Sequence, residues 1–549
     1  MEFEPVAFME VLKSGVLQDI HPALASFCKM NAQRFSFDDI FSVEKRRILW
    51  EDILKLIREC SDPSFNQLSL SSLLILSRDK IIAESVEEDC IEFLLRCAGL
   101  GEVSAQGEIN YDVVLAALKC LSNLTFNSPI VQVYISKCHC TASIIRRLKE
   151  VSDPNIPHLV KFFDLKLLFL ITAKCPEIVN RVKNEEQAIE VLTRALSETT
   201  GARQSPAASS AYFLTVEQID LASEILKVLF NIMVKNEESI PENQHIEILG
   251  LLHDLLLFGA PDEKKLDDIR SHSINLLMII PSILYDILTP PLVGAQDKPQ
   301  FEGKNMEILV VMSDFLYRRL VVSRTDIALS AVGVKNLMEN VSPILTVLSR
   351  GCLAQRSMRK FLRNKILPPL TDEVMQRPEM GDTSRNLLCA LLTTPITQVR
   401  DLAADFLFIL CKEKVARFVK YVGYGNAAGL LANRGLMLGG RGKMGHYSSD
   451  SEDSDTEEYK LIKDQINPII GCYEEPRPDP MENMSEEQKE YEAVKLVEKI
   501  DQLTRSGVIQ PCRVGPDGRP VPVDHVLQLQ EELARMHAPL QDDSDEDSD

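Results

Sequence analysis

Leu226-Lys-Val-Leu-Phe-Asn-Ile232 decides the fold, because the chain contains versions of it elsewhere. Leu118-Lys-Cys-Leu-Ser-Asn-Leu124 matches it, and Leu165-Lys-Leu-Leu-Phe-Leu-Ile171 keeps its skeleton. Leu73-Leu-Ile-Leu-Ser-Arg78 and Leu345-Thr-Val-Leu-Ser-Arg350 match each other almost residue for residue. Ile274-Asn-Leu-Leu-Met-Ile-Ile280 and Ala404-Asp-Phe-Leu-Phe-Ile-Leu410 fit more loosely. Around these stretches apolar residues recur at i, i+3, i+4 and i+7, the spacing of an amphipathic helix. Their starts are separated by 45, 47, 61, 48, 71 and 59 residues. Three separations fall at or near the roughly 40–47 residues of armadillo and HEAT units. Each wider one contains a loop insertion, near 199–212, 289–304 and 371–383. The expected fold is all-α: an armadillo/HEAT-like helical repeat solenoid with a C-terminal helical extension and acidic disordered segments.

The length agrees. The chain has 549 residues, and one compact core stops growing at roughly 250–300. Helical periodicity runs to about residue 422, and convincing alternating strands are absent, so 1–422 is assigned to the solenoid. A glycine-rich segment, Tyr421-Val-Gly-Tyr-Gly-Asn-Ala-Ala-Gly-Leu-Leu-Ala-Asn-Arg-Gly-Leu436, opens a hinge or helix segment over 423–442. The stretch 443–484 reads as an acidic linker that includes Tyr447-Ser-Ser-Asp-Ser-Glu-Asp-Ser-Asp-Thr-Glu-Glu458. Ser485-Glu-Glu-Gln488 is a capping box that starts the helices of 485–536, the second of them around Val523–Met536, and 537–549 reads as a disordered acidic tail.

Charge narrows the partners. There are 60 Lys and Arg against 81 Asp and Glu, a net charge of −21. That balance argues against nucleic acid and against anionic lipid, both of which select basic surface. No run of about 20 uncharged apolar residues predicts a transmembrane helix, and the N-terminus lacks the features of a signal peptide. The 13 cysteines lack CxxC spacing and sit mostly in apolar helical patterns, as reduced core residues of a cytosolic protein do. Catalytic constellations are missing. Gly423-x-Gly425-x-x-x-Gly429 has the wrong spacing for a phosphate loop and follows no strand, so a hinge or a close helix approach is the better reading. Cys138-His139-Cys140 lacks the fourth ligand of a closed zinc site. No cofactor, metal or catalytic residue is expected.

Binding is the remaining class. If the units stack, the sixth position of each repeated stretch lines one groove: Arg78, Asn123, Leu170, Asn231, Ile279, Arg350 and Ile409. Asparagine can bond a backbone with donor and acceptor, and arginine can fork onto a carboxylate. Singly, such residues cap or solvate helix ends. Just after Arg350, Arg356, Arg359, Lys360 and Arg363 recur at helical spacing, which suits a carboxylate terminus or an acidic helix, or else an ordinary solvated face. In the acidic run, Ser449 and Ser454 each have an acidic residue three positions on, as an acidophilic kinase of the casein kinase two type requires.

The glycine-rich segment followed by the Ser/Asp/Glu run is similar to the synembryn family (resistance to inhibitors of cholinesterase eight). So are Phe162-Phe-Asp-Leu-Lys-Leu-Leu-Phe-Leu170, Ile225-Leu-Lys-Val-Leu-Phe-Asn231, Leu76-Ser-Arg-Asp-Lys80, Arg359-Lys-Phe-Leu362, Leu367-Pro-Pro-Leu370 and Met484-Ser-Glu-Glu-Gln-Lys-Glu490. The resemblance runs in order from about residue 35 to about 520. It implies a receptor-independent guanine nucleotide exchange factor and chaperone for heterotrimeric G-protein α subunits (Gα), without covalent chemistry. It implies that the last helix of Gα lies in the groove, that GDP leaves, and that the empty client is held until GTP arrives. Arg78, Asn123, Asn231, Arg350, Arg359, Lys360 and Arg363 would contact Gα, and the C-terminal helices would wrap it. Ser449 and Ser454 would match a phosphorylated pair, the second being serine where threonine is expected. Location would be cytoplasmic, with recruitment to the cell cortex through the client. An armadillo adaptor for another helical or acidic peptide is the alternative. A nuclear-import receptor, which grips basic peptides with Trp and Asn arrays, fits poorly with a single tryptophan, Trp50.

Overall fold

A computed structural model describes residues 4–523 except 61, 102–108, 202–212, 236–238, 293–298, 327–330, 444, 446, 448–454, 476–480 and 482–483, and no side chain at 63, 325–326, 331–334 or 336. The chain divides into two compact units, Met1–Leu288 and Thr289–Asp549. All seven repeated stretches lie in helices or at their last turn.

In the first unit the repeated helices form a row. Pro63–Leu76 packs on Tyr111–Asn127, which packs on His158–Lys174, then Val216–Met233, then Glu263–Leu277. Each has a helix before it in sequence that backs it: Val43–Glu59, Glu88–Cys97, Cys140–Leu148, Ala188–Thr200 and Glu242–Leu257. That is a helix-pair repeat in which each unit buries its apolar stripe on its neighbours. The leucines of the repeated stretch do this work. Leu73, Leu118, Leu121, Leu165, Leu168, Leu226 and Leu229 are all buried, each contributing about 2 kcal/mol. Side-chain caps fix several helix starts: Asp62 accepts from Ser64 N, Asn110 from Asp112 N, and Thr215 forms a capping box with Gln218. A half-buried ion pair adds register: Arg147 Nε donates to the buried Asp164 Oδ2 at 2.6 Å, and its Nη1 to Ala98 O at 3.0 Å.

The second unit centres on Ala331–Ala354 against Thr397–Leu410, with Glu307–Asp326, Arg356–Ile366 and Ser384–Leu391 around them. Val415–Val422 and Tyr424–Arg434 follow. The glycine-rich segment is therefore a helix with close backbone approaches at both ends. Gly423 has φ +78°, and a Cβ there would stand 3.0 Å from Gly471 N. Beside it Tyr424 N donates to Pro468 O and Gly425 N to Ile469 O, both at 2.8 Å. At the other end Gly435 has φ +69°, its Cβ direction 2.7 Å from Asp517 O, and Met437 N donates to Gly518 O at 3.1 Å.

Among the described residues, three small antiparallel hairpins escaped the sequence reading: Gln300–Phe301 with Lys304–Asn305, Ile466–Asn467 with Cys472–Tyr473, and Cys512–Val514 with Pro520–Pro522. Strands of two or three residues are too short to show alternation. Part of the expected linker is thus folded: Glu457–Ile462 is a helix and the second hairpin seats on Gly423. Glu486–Arg505 is a helix with the expected capping box and no buried residue. After it comes a hairpin, and the helix expected around Val523–Met536 lies outside the described residues apart from Val523. No single described helix is long and apolar enough to cross a membrane.

Candidate functional site

In the first unit the sixth-position residues bridge neighbouring repeats. Asn123 Nδ2 donates to Ser77 Oγ at 2.9 Å, at the end of the preceding repeated helix. Asn231 Nδ2 donates to Thr172 Oγ1 at 3.1 Å and Phe169 O at 3.3 Å, again one repeat back. Arg78 Nη1 donates to Ala32 O at 2.7 Å and lies over the Phe35 ring at 5.3 Å. All three are half-buried. Their polar atoms thus tie one repeat to the one before, a role beyond capping a single helix.

The same face carries a feature the sixth position does not show. Lys119, Lys166 and Lys227 occupy the second position of the repeated stretch, and aromatic rings lie among them. Lys119 Nζ is 5.1 Å from the Phe163 ring centre, Lys227 is 5.1 Å from Phe169, and Lys174 is 5.0 Å from Phe126. Each of these pairs joins adjacent helices of the row, whereas Lys166 lies over Phe162 of its own helix at 5.7 Å. Cation–π contacts hold the ammonium groups beside rings without removing their charge. Burial and the charge of Arg78 push the Lys119 amine below its ordinary range. Two carboxylates already meet lysines here: Glu224 pairs with Lys227, and Asp220 with Lys265 at 2.5 Å. Half-buried rings with lysines suit a ligand that is apolar on one side and acidic on the other. The signal that would have found them is the recurrent Leu-Lys at 118–119, 165–166 and 226–227.

In the second unit the basic cluster splits by burial. Arg359 is buried; its Nη1 donates to Cys352 O at 3.0 Å and its guanidinium lies 4.7 Å from the Tyr447 ring centre. Arg363 is also buried, and its Nη2 donates to Tyr421 Oη at 3.1 Å. Lys360 reaches Glu302 at 3.4 Å, and Arg356 reaches the same carboxylate at 3.1 Å. Arg350 is half-buried near the end of Ala331–Ala354. Neither a solvated face nor an open cationic site describes this cluster. Arg359 and Arg363 hold the chain at Tyr421 and Tyr447, while Arg356 and Lys360 hold the tip of the 300–305 hairpin. Covering by later and earlier segments leaves no mark in helical spacing, which is why the sequence suggested one uniform basic stripe.

Ser449 and Ser454 lie outside the described residues. The residues on either side are anchored. Before them, Tyr447 packs between Arg359 and Arg441, and burial beside Glu413 pushes its phenol above the ordinary tyrosine range. After them, Asp455 pairs with Lys420 at 2.5 Å and Lys463 at 3.4 Å, and the Lys420 bond holds its carboxyl below the usual range. Among the described residues no group of His, Cys, Asp and Glu could hold a metal.

Comparison with known proteins shows the family. The family model described as guanine nucleotide exchange factor synembryn matches residues 69–519. Chaperone Ric-8A of Gallus gallus is 39% identical over 530 residues, covering 94% of this chain and 95% of that protein. Chaperone Ric-8A of Bos taurus is 38% identical over 558 residues, covering 100% of both. That of Danio rerio is 38% identical over 561 residues, covering 99% of both. A solved structure of importin beta aligns with 79% of this chain and 47% of its own, at 13% identity and a TM-score of 0.33.

Proposed function

The chain belongs to the family of the guanine nucleotide exchange factor synembryn, and on that premise we propose that it is an exchange factor and folding chaperone for Gα. The single observation that carries the binding step is the lysine and phenylalanine face of the first unit, built on Lys119, Lys166 and Lys227. The last helix of Gα, ending in a free carboxylate, docks there: its apolar side meets Phe163 and Phe169, and its acidic groups meet the ammonium ions. Lysines that compact, with three donors each, hold a carboxylate without a fixed fork geometry.

Exchange then follows from differential binding. The chain prefers the open, empty Gα, in which that helix has been drawn away from the guanine site. By linkage, whatever favours the empty state weakens GDP by the same factor, and GTP releases the chain by reciprocity. A coupling of about 3 kcal/mol changes nucleotide affinity by roughly two orders of magnitude. No covalent bond is made or broken. The exposed apolar residues of Glu486–Arg505, Tyr491, Val494, Leu496 and Val497, contact the body of the client. Phosphorylation of Ser449 and Ser454 by an acidophilic kinase adds about −1.5 to −2 charge each, between two anchored ends that carry Arg359, Arg441, Lys420 and Lys463. The work is done in the cytoplasm, at membranes only where the client is.

The test is binding of a peptide with the sequence of the last Gα helix. Lys119→Glu combined with Lys227→Glu should weaken it by tenfold or more, about 1.4 kcal/mol or above. Unchanged affinity, with the helical spectrum retained, would remove the docking site from this face.

A further inference from the structure

Apart from the client surface, a second group of reactive side chains sits at the seam between repeats. Cys138 ends the helix Pro129–Lys137, and Cys140 begins the helix Cys140–Leu148. Cys140 is buried and Cys138 is half-exposed. Two residues apart at the break between these helices, both line one cavity. Cys138 opens onto a cavity of about 400 Å³ that is also lined by Glu92, Arg96, Tyr134 and His139. Behind the pair lies Arg181 of the next repeat. Its Nη1 donates to Ser136 O at 3.1 Å and its Nη2 to Cys138 O at 3.0 Å, and Glu186 stands 3.8 Å from its Nε.

We propose that Cys138 and Cys140 form a peroxide-sensing dithiol, with Cys138 as the attacking thiol in an accessible cavity and Cys140 as the resolving one. The surroundings favour the anion at Cys138. One acceptor, Ile135 O at 3.3 Å, favours the thiol. The neighbouring Cys140 and the charge of Arg181 outweigh burial, which acts the other way, and lower the Cys138 pKa. At other cysteines burial wins: it pushes Cys90 and Cys389 up to about 12, and Cys97 and Cys175 up to about 11. A thiolate with access to solvent is the form that reacts.

The chemistry balances with a hydroperoxide as oxidant. The Cys138 thiolate attacks one peroxide oxygen; the S–O bond forms, the O–O bond breaks, and the alkoxide or hydroxide leaves and takes up a proton. The sulfur is oxidised by two electrons and the peroxide is reduced. Cys140 then attacks Cys138 sulfur, the S–S bond forms, and hydroxide leaves with the Cys140 proton as water. Because Arg181 holds the Cys138 carbonyl, closing the disulfide acts on a bond between one repeat and the next.

Mass spectrometry of the full, unaltered chain tests this. Trypsin cuts after Lys137 and Arg146, so both sulfurs fall in one peptide, Cys138–Arg146. After brief exposure to hydrogen peroxide that peptide should lose the mass of two hydrogens and resist alkylation until reduced, while Cys120 stays a thiol. At neutral pH, iodoacetamide should modify Cys138 about fivefold faster than the exposed Cys512. In Cys140→Ser the reaction should stop at a dimedone-reactive sulfenic acid on Cys138. Three results would overturn the proposal: Cys138 alkylating no faster than Cys512, both thiols surviving peroxide that oxidises Cys512, or Cys138 pairing with Cys175.

Discussion

Arg359 and Lys360 are neighbours in sequence with opposite duties, and burial separates them. Arg359 is 3% exposed, with a carbonyl and a tyrosine ring as partners, whereas the Lys360 side chain is 16% exposed and shares the Glu302 carboxylate with Arg356. Arg359→Ala should therefore cost about 3 kcal/mol by stranding Cys352 O and uncovering Tyr447. Lys360→Ala should cost under about 1 kcal/mol. Paired chemical denaturation curves check this; equal losses would contradict the split. His272 gives a pH-dependent case. Burial and the charge of Lys227 push its pKa from 6.5 down to about 4. The unfolded chain binds a proton there first, so the stability from this group is complete above about 6.5 and is lost as pH falls toward 4. The loss should approach about 3 kcal/mol and vanish in His272→Gln. Trp50, the single tryptophan, is buried in the same unit and reports its unfolding by fluorescence.

Elements built on repetition were legible, and those built on close approach were not. The leucine spacing of 118–124 and 226–232 marked real helices in one row, because burying a stripe demands a fixed period. The asparagines at 123 and 231 were legible as a line, but their bonds one repeat back depend on how neighbouring helices stack. The glycines at 423 and 435 announced only freedom of the backbone. What they admit, the turn at 467–471 and the hairpin at 512–522, comes from dozens of residues later and has no local pattern. Gly435→Ala tests that reading. A left-handed alanine costs about 1–2 kcal/mol, and its Cβ would also meet Asp517 O at 2.7 Å. The expected result is faster hydrogen exchange at the Met437 amide and faster proteolysis over 506–523, with the row of helices in the first unit unaffected. Protection equal to the parent chain would show that the hairpin does not depend on this contact.

Across the whole molecule, charge is unevenly placed. Residues 440–549 hold 12 Lys and Arg against 27 Asp and Glu, a balance of −15, and the first 439 hold 48 against 54, or −6. The net −21 is mostly a property of the C-terminal part. A nearly balanced repeat region can therefore carry a lysine face that the total conceals, and electrostatic attraction of an acidic helix there will weaken as salt rises. The candidate face was half legible: the repeat located it, but the basic cluster at 356–363 drew attention to residues that hold the fold. The most direct test of the central claim is GDP release from purified Gα, followed with and without the chain and with Lys119→Glu/Lys227→Glu. The account predicts faster release with the parent chain and a rate near the spontaneous one with the folded double variant. Release unaffected by the parent chain, with no binding to nucleotide-free Gα, would contradict it.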